Sequence, residues 1–380
     1  MKQWPTKLLG EVCAINPKLT ASEAPAIDAE ITFVPMAAVD EVGGTIAQPQ
    51  RRQYKEVAKG YTAFKDNDVL FAKITPCMQN GKAAIARNLF GGFGFGSTEF
   101  HILRPGAGVL PEWLFGFIRQ PSFRSAAEAN FTGTAGQQRV PTDYLKRVKI
   151  PVPPLADQAR IVNLLDEVDA LRKLRDQADR RTGDLVPALF NEMFGDPATN
   201  QRSWPVKPFG ELAENKDGKR KPVKASDRAD RKGEYPYYGA SGIIDYVDKY
   251  LFDETALLIG EDGANLLARS TPIAFLAHGR YWVNNHAHVV TFNGKADLNY
   301  LCVALNLRDL ADFVTGSAQP KLNQANMNRI LIPVPPMVLQ KEFGRRVTEI
   351  RELEAEQAAS RRRGEDLYQS MLHRAFSGEL

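Results

Sequence analysis

Two segments of the chain carry apolar residues three and four positions apart, the spacing of one face of an α-helix. The first segment follows Pro154 and the second follows Pro336. A long helix with one apolar side needs a partner in water, and each segment is predicted to be the partner of the other. Pro187 is expected to kink the first helix or end it early. The residues expected at the helix contact are Ile161, Leu164, Val168, Leu171, Val347, Ile350, Leu353 and Leu367.

Short strand-like runs bounded by turn residues precede each of these segments. Helical patterns follow Pro111, cover residues 123–130 and extend from about Leu298 to Phe313. Each half of the chain is therefore predicted to be a mixed α/β module followed by a long helix. The glycine cluster Gly91–Gly96 is expected to be a flexible hairpin or loop. The predicted strands lie at 31–34, 68–71, 97–103, 255–259, 273–276 and 287–292.

Several short motifs occur twice, which indicates a tandem duplication. Ile150-Pro151-Val152-Pro153-Pro154 returns as Ile332-Pro333-Val334-Pro335-Pro336, and Phe131-Thr132-Gly133-Thr134-Ala135 resembles Val314-Thr315-Gly316-Ser317-Ala318. The proline-rich motif suits a stiff, extended lead into a helix. The predicted divisions are a first module at 1–149, its lead and helix at 150–197, a second module at 198–331, and its lead and helix at 332–380.

The composition is that of an ordinary soluble protein. The 380 residues are 43% hydrophobic and 25% charged, and the net charge of +4 permits a polyanionic partner without demanding one. The three cysteines have no CxxC spacing, so neither disulfides nor structural zinc are expected, and a reducing cytoplasm is the expected location. No run approaches the roughly 18 apolar residues of a membrane span. The chain is expected to be neither secreted nor bound to a membrane.

The usual signatures of catalysis are missing from the sequence. No Gly-Lys pair has the context of a phosphate-binding loop, and neither Pro-Pro pair has the flanking residues of an adenine methyltransferase. His286-Ala287-His288 lacks a third metal ligand at a supporting spacing, so both histidines are expected to be structural and no metal site is expected. Asp217-Gly218-Lys219 is expected to be a solvated loop. The chain is therefore expected to be non-catalytic.

Turns between the predicted strands carry side chains suited to nucleic acids. Arg and Lys recognise guanine edges, Asn and Gln recognise adenine edges, and Lys and hydroxyl groups bind phosphates. Any single one of them is more often a residue that stabilises its own turn. The case for DNA is collective. The candidates in the first module are Lys73, Thr75, Gln79, Asn80, Lys82, Ser97, Thr98, His101, Gln137, Gln138 and Arg139. Those in the second are Lys219, Arg220, Lys221, Tyr238, Asn284, Asn285, His286, His288, Gln319, Lys321 and Asn323.

Taken together, these features resemble the specificity subunit of type I restriction-modification systems over essentially the full chain. The resemblance rests on the paired Thr-Gly segments, the paired proline-rich leads, and the ending Phe376-Ser377-Gly378-Glu379-Leu380. It also rests on Lys73-Ile74-Thr75-Pro76-Cys77 and on Val283-Asn284-Asn285-His286-Ala287-His288.

The resemblance implies that each module is a target recognition domain for one half of a bipartite site in double-stranded DNA. It implies that the two helices pair as an antiparallel coiled coil with pseudo-two-fold symmetry, set the spacer and dock two methylation subunits. Restriction subunits, which translocate and cleave DNA, are further implied partners. S-adenosylmethionine, ATP and Mg are expected on the partners, and no cofactor is expected on this chain. A bilobed protein-binding scaffold and a stand-alone enzyme of nucleic-acid modification remain the alternatives.

Overall fold

The computed structural model describes residues 4–134, 136–316 and 318–380. Ala135 and Ser317, one in each of the paired Thr-Gly segments, lie outside the described residues. The chain forms two compact units. Unit 1 comprises Met1–Leu174 and Ser360–Leu380, and unit 2 comprises Arg175–Ala359.

The α-helices and β-strands alternate along the chain, as the hydrophobic pattern predicts. The helices are α1 (Leu9–Val12), α2 (Tyr54–Val57), α3 (Pro111–Arg119), α4 (Pro121–Glu128), α5 (Thr142–Arg147), α6 (Leu155–Gly183), α7 (Leu185–Phe194), α8 (Phe209–Leu212), α9 (Ala225–Ala229), α10 (Asn265–Ala268), α11 (Leu298–Leu307), α12 (Gln324–Asn328) and α13 (Met337–Ser377). The strands are β1 (Thr6–Leu8), β2 (Cys13–Ile15), β3 (Glu30–Val34), β4 (Gln50–Gln53), β5 (Thr62–Lys65), β6 (Val69–Ala72), β7 (Ala83–Ile85), β8 (Phe93–Gly96), β9 (Phe100–Pro105), β10 (Lys149–Pro151), β11 (Val206–Pro208), β12 (Ala213–Asn215), β13 (Lys232–Gly239), β14 (Gly242–Val247), β15 (Phe252–Asp253), β16 (Ala256–Gly260), β17 (Ala274–Ala277), β18 (Arg280–Val283), β19 (Ala287–Phe292) and β20 (Leu331–Pro333).

The two units have the same sheet topology. Unit 1 contains an antiparallel sheet in the order β2-β9-β6-β7 and a mixed sheet in the order β4-β3-β8-β5, in which β3 and β8 are parallel. Unit 2 repeats this with β12-β19-β16-β17 and β14-β13-β18-β15, in which β13 and β18 are parallel. The prediction of two mixed α/β modules is confirmed. The central strands β6 and β16 are buried along their whole length, which explains why they are continuously apolar rather than alternating.

The proline-rich leads close the modules. In unit 1 the lead strand β10 pairs antiparallel with β1, and in unit 2 β20 pairs with β11 in the same way. Trp113 Nε1 donates to the carbonyl of Pro151 at 2.8 Å, and the Tyr300 hydroxyl donates to the carbonyl of Pro333 at 2.6 Å. Each lead is thus bonded to the start of its module and to the helix that packs on the module's sheet.

One fully buried glutamine fixes the start of each long helix, Gln158 in α6 and Gln340 in α13. Gln158 accepts from the backbone N–H of Leu110 and donates to the carbonyl of Pro153. Gln340 accepts from the backbone N–H of Asp297 and donates to the carbonyl of Pro335 in the same way. A buried amide that pairs both its donor and its acceptor is stable, whereas an unpaired one costs about 1–3 kcal/mol. The duplication has preserved these contacts as well as the sequence.

Within unit 1 the helices α6 and α13 run antiparallel. Early in α6, Ile161 and Leu165 share a hydrophobic core with Leu372 and Ala375 near the end of α13. Later in α6, Arg172 forms an ion pair with Glu365, which lies earlier in α13, and its guanidinium stacks over the Tyr368 ring. In unit 2 the beginning of α13 meets α7, because the rings of Phe190 and Phe194 pack on Phe343.

Three of the residues predicted at the helix contact do not lie there. Ile161 and Val347 are fully buried and Leu164, Val168 and Ile350 are half-buried, but Leu171, Leu353 and Leu367 are exposed by 64%, 42% and 51%. Consecutive helix residues point about 100° apart, so Arg172 faces the partner helix and turns Leu171 away from it. The middle of the pair in unit 1 is therefore polar.

Three smaller expectations have mixed outcomes. The first helix does end early, at Gly183, and Pro187 lies in the first turn of α7, where a missing N–H costs little. The loop expected at Gly91–Gly96 is wrong for Phe93–Gly96, which forms strand β8. A Cβ on Gly94 would come within 2.1 Å of the Phe64 ring, so glycine is required by close packing and not by flexibility. The helix expected to reach Phe313 ends at Leu307.

Candidate nucleic-acid interface

In unit 1, three polar segments meet at one edge of the antiparallel sheet. They are 73–82, which follows β6, 96–101, which leads into β9, and 131–140 before α5. Lys73 N–H donates to the carbonyl of Glu99 at 2.9 Å, Val140 N–H donates to the carbonyl of Lys73 at 2.9 Å, and Thr75 N–H donates to Gln138 at 3.0 Å. Backbone bonds thus place most of the predicted unit 1 residues along one edge, called here edge 1.

Edge 1 contains an ion pair, between Arg139 and Glu99, and a lysine, Lys73, whose ammonium is not paired with any described residue. Arg139 donates to both carboxylate oxygens of Glu99, at 2.8 and 2.9 Å. These bonds lower the pKa of Glu99. The side-chain ammonium of the half-buried Lys73 makes no hydrogen bond or ion pair with any residue that the structure describes, and its charge acts on Glu99 only through space. Lys73 is therefore the cation at edge 1 that is ready to bind an anion.

Two predicted residues of unit 1 are structural instead. His101 is 2% exposed, its Nε2 lies 2.8 Å from the Val140 carbonyl, and its Nδ1 faces the side chain of Asn16. The Nζ of Lys82 points into the module and donates to the carbonyl of Val39 at 3.1 Å. Both side chains hydrogen-bond to backbone carbonyls of neighbouring segments. They therefore stabilise the fold of unit 1, and these polar atoms are not available to a ligand.

The other predicted residues of unit 1 differ in exposure. Asn80, Thr98 and Gln137 are exposed, and Gln138 and Ser97 are half-buried. Thr75 donates to Gln79, whose amide in turn bonds Glu128, so this pair is engaged within the protein. The amides and the hydroxyl that remain accessible are those of Asn80, Thr98, Gln137 and Gln138.

Unit 2 has an equivalent edge, called here edge 2, built from the same backbone bonds. Glu261 N–H donates to the carbonyl of His286 at 2.8 Å, and Leu322 N–H donates to the carbonyl of Glu261 at 2.8 Å. Glu261 therefore occupies the position that Lys73 occupies in unit 1. The end of the β13–β14 hairpin also lies here, since a Cβ on Gly239 would come within 3.5 Å of Asn284 Nδ2.

A buried network of charged groups supports edge 2. Arg220 donates to Glu261 at 2.7 Å and lies 3.3 Å from Asp217. His288, only 1% exposed, has its Nδ1 2.6 Å from Asp217 and its Nε2 2.8 Å from the Leu322 carbonyl. Burial alone would raise the pKa of Asp217, but the hydrogen bonds from His288 and from backbone N–H groups outweigh it and lower the pKa.

This network corrects three expectations. Asp217 is not part of a solvated loop, because its side chain is only 9% exposed and anchors a neighbouring strand through the N–H of Val289. Arg220, which is 13% exposed, and His288 are bonded to groups within the protein and are not available to contact DNA. The sequence showed the residue types but not that they neutralise one another.

The same network holds the group of side chains with metal-ligand chemistry. One ligand atom each from Asp217, Glu261 and His288 lies within 4.8 Å of the others, close enough for one divalent cation. The guanidinium of Arg220 already bonds both carboxylates. A metal ion would have to displace it, so this set fits an internal ion network better than a metal centre.

The remaining predicted residues of unit 2 fall into two groups. Asn284, 4% exposed, accepts from the backbone N–H of His286, and Tyr238 packs edge-on against Tyr281, so both are mainly structural. Asn323 caps α12 by accepting from Asn326 N–H. The accessible side chains are Lys219, Lys221, Asn285, His286, Gln319 and Lys321. Of these, His286 lies 2.8 Å from Asp262, and Lys321 lies 3.1 Å from Glu261.

Sequence reasoning missed Glu261 and Asp262. A signal existed for Glu261, because it follows the buried strand β16 just as Lys73 follows β6. Aligning β6 with β16 would have shown that Glu261 takes the position in the second module that Lys73 takes in the first. No comparable signal marks Asp262.

Within the part of the chain that the structure describes, no helix is both long and apolar enough to cross a bilayer. Two solved structures share the fold over nearly their whole lengths. One, titled as the basis of complex assembly and conformational transition of the type I R-M system, has a TM-score of 0.62 at 19% identity and covers 99% of this chain and 98% of its own. The other, a type I restriction-modification S subunit from M. genitalium, has a TM-score of 0.59 at 16% identity and covers 98% and 96%.

Curated relatives are more similar in sequence but match over a shorter part. The EcoEI specificity subunit of Escherichia coli is 35% identical over 213 residues, which are 56% of this chain and 34% of that protein. The EcoAI specificity subunit, also of Escherichia coli, is 33% identical over 213 residues, 56% of this chain and 35% of that protein. The matches thus span about a third of the length of these relatives. Residues 1–178 and 201–359 match the model of the type I restriction modification DNA specificity domain, and the chain therefore belongs to that family.

Proposed function

We propose that this chain is the DNA-reading, non-catalytic specificity subunit of a type I restriction-modification complex. Edge 1 and edge 2 each contact one half of a bipartite site in double-stranded DNA. Methyl transfer from S-adenosylmethionine and ATP- and Mg-dependent cleavage belong to partner methylation and restriction subunits, which dock on the helices α6 and α13. Family membership, the repeated fold and the paired polar edges support this proposal.

The observation that carries it is the difference between two equivalent positions. Lys73 in edge 1 and Glu261 in edge 2 make equivalent backbone hydrogen bonds, each within its own unit, but their side chains have opposite charge. A lysine donates to guanine acceptors or phosphate, whereas the carboxylate of Glu261 holds Lys321 and Arg220 in place. Two modules with one backbone and different side chains at the edge are suited to reading two different half-sites.

The test is a binding measurement on random and selected duplexes at several salt concentrations. Phosphate contacts make the observed affinity fall steeply with salt, and removing one contact reduces the log–log slope by about 1. We expect Lys73→Gln to weaken binding to all duplexes and to reduce that slope. Lys55→Gln, which removes an exposed lysine of helix α2, is the matched control and is expected to bind like wild type.

Binding that is absent, or that is insensitive to salt, would contradict the proposal and favour a protein-binding scaffold. An equal effect of both substitutions would show that Lys73 has no special position. Methyl transfer by the purified chain alone would show that the chain is an enzyme.

A further inference from the structure

Unit 1 contains a polar cavity that adjoins edge 1, because Gly81 of segment 73–82 is part of its lining. It has a volume of about 290 Å³ and lies where α3 and α4 approach the end of α13. Three arginines line it, Arg119, Arg124 and Arg172, together with Tyr368 and Gln369. Two carboxylates, Glu41 and Glu365, also lie in the lining, so the cations outnumber the acids by one. Cationic groups around a cavity are stable only when anions or dipoles balance their charge.

Only one of the three guanidiniums is balanced by acids. Arg172 bonds Asp169 at 3.1 Å and also pairs with Glu365. Arg119 donates to the carbonyl of Val42 at 2.8 Å, and Arg124 donates to the carbonyl of Gln79 at 3.2 Å. Among the residues that the structure describes, no carboxylate lies within ion-pair distance of Arg119 or Arg124. The hydrogen bonds of these two cations go to backbone carbonyls, and the guanidinium of Arg119 also lies over the Phe115 ring at 5.2 Å.

The two unpaired guanidiniums affect each other. Burial lowers the pKa of Arg124, and the positive charge of Arg119 lowers it further. Like charges in a partly dry site are costly unless an anion joins them. Each of the two guanidiniums lies against a glycine, where a side chain would take the space that it occupies. A Cβ on Gly44 would come within 2.2 Å of Arg119 Nη1, and a Cβ on Gly81 within 2.8 Å of Arg124 Nη1.

Two buried polar atoms in the lining also lack partners. Arg124 Nε is a donor, and Gln369 Oε1 is an acceptor, and neither has a hydrogen bond in the described structure. Buried polar atoms are nearly always paired, so each unpaired one indicates a missing partner. A ligand that fits both must accept from arginine and donate to an amide oxygen.

We propose that this cavity binds phosphate, either inorganic or as the phosphate group of a small monoester. The oxygens of phosphate accept from Arg119 and Arg124 in the fork geometry that guanidinium groups favour. A protonated phosphate oxygen donates to Gln369 Oε1, which a fully deprotonated anion such as sulfate does not do. Phosphate binding does not require the proposed DNA reading, but the site adjoins edge 1, because Arg124 donates to the carbonyl of Gln79 in segment 73–82.

The experiment uses the full chain and isothermal titration with inorganic phosphate at pH 7 in a chloride buffer of constant ionic strength. We expect one saturable site. The Arg119→Gln, Arg124→Gln double variant is expected to bind phosphate about tenfold or more weakly, because it loses charge-assisted hydrogen bonds to the anion. The exposed Arg51→Gln is the matched control and is expected to bind phosphate like wild type.

A comparison of phosphate with sulfate is a second test of the proposal. It does not depend on whether the double arginine variant folds. Wild type is expected to bind phosphate more tightly than sulfate, and Gln369→Leu is expected to weaken phosphate but not sulfate. No saturable phosphate binding by wild type, or equal binding by the double variant, would overturn the proposal. If a saturating DNA duplex abolishes phosphate binding, the cavity belongs to a backbone phosphate of DNA, and the assignment to a free phosphate is wrong.

Discussion

At the scale of single residues, burial separates structural from accessible groups in both edges. His101 and His288 hold the carbonyls of Val140 and Leu322 at 2.8 Å in the two units. Both are on strands, and both were candidates for DNA contact from their residue type. A sequence shows which side chains have suitable chemistry, but only the fold shows whether a backbone carbonyl has already taken the donor.

The burial of His101 predicts a pH dependence of stability. Burial lowers its pKa to about 4, below the ordinary value near 6.5, although the Val140 carbonyl opposes this. The unfolded chain therefore binds a proton between these values that the folded unit 1 does not. This contribution to stability is complete above about pH 6.5 and is lost as the pH falls toward 4.

We expect the free energy of unfolding of unit 1 to fall by about 1 kcal/mol from this group between pH 7.5 and 5.5. Denaturant titration at the two pH values measures it. His101→Gln should remove this part of the pH dependence, while the exposed His278→Gln in unit 2 should keep it. A His101→Gln variant that keeps the wild-type pH dependence would show that another group titrates.

At the scale of elements, the helical spacing predicted the long helices but not all the residues that join them. The expected apolar stripe treats the contact as uniform, and of its members Ile161 and Val347 are fully buried, in the cores of unit 1 and unit 2. Near Arg172 the contact is made by an ion pair and a stacked tyrosine, which a search for apolar periodicity does not detect. The six predicted strands correspond to β3, β6, β9, β16, β17 and β19, and β6 and β16 were detectable because they are continuously apolar and bounded by turns. The other strands, β8 among them, were not predicted.

A pair of substitutions in α6 tests the observed contact. Ile161 is fully buried, so Ile161→Ala is expected to destabilise unit 1 by about 2–5 kcal/mol. Leu171 is 64% exposed, so Leu171→Ala is expected to change stability by less than about 0.5 kcal/mol. Thermal and denaturant unfolding measure both. Equal losses would mean that Leu171 is covered in solution by this chain or another copy.

At the scale of the whole molecule, the duplication explains why the fold could be predicted and the edges could not. The paired leads, the buried glutamines and the sheet order are common to both units, so each copy supports the interpretation of the other. The edges have diverged, so Glu261 gains no support from its counterpart Lys73. Under the proposed function, the half-sites depend on the edges, and for this part of the molecule repetition gives no information.

Exchange of one module tests independent reading. Replacing residues 1–154 by the corresponding segment of a relative is expected to change one half-site and to leave the other half-site unchanged. Methylome sequencing of cells that carry the hybrid with its partner subunits measures this. Simultaneous loss of preference at both half-sites would contradict separate reading by edge 1 and edge 2.

The length of α6 is expected to determine the spacer between half-sites. Deleting about one helical turn, about four residues, between Leu164 and Arg181 should change the spacer and leave both half-sites unaltered. The same sequencing measures the result, and a deletion variant with the original spacing would show that helix length is not the determinant.

The pairing of β1 with β10, and of β11 with β20, brings the first and last strands of each module side by side. A genetic crossover placed after the proline-rich lead therefore transfers a self-closed cassette whose ends already meet. A crossover a few residues earlier leaves an orphaned strand on each side of the joint. Recombination between homologous genes should consequently yield folded hybrids when the crossover falls just after a lead, at the end of a stretch that both halves of this chain share.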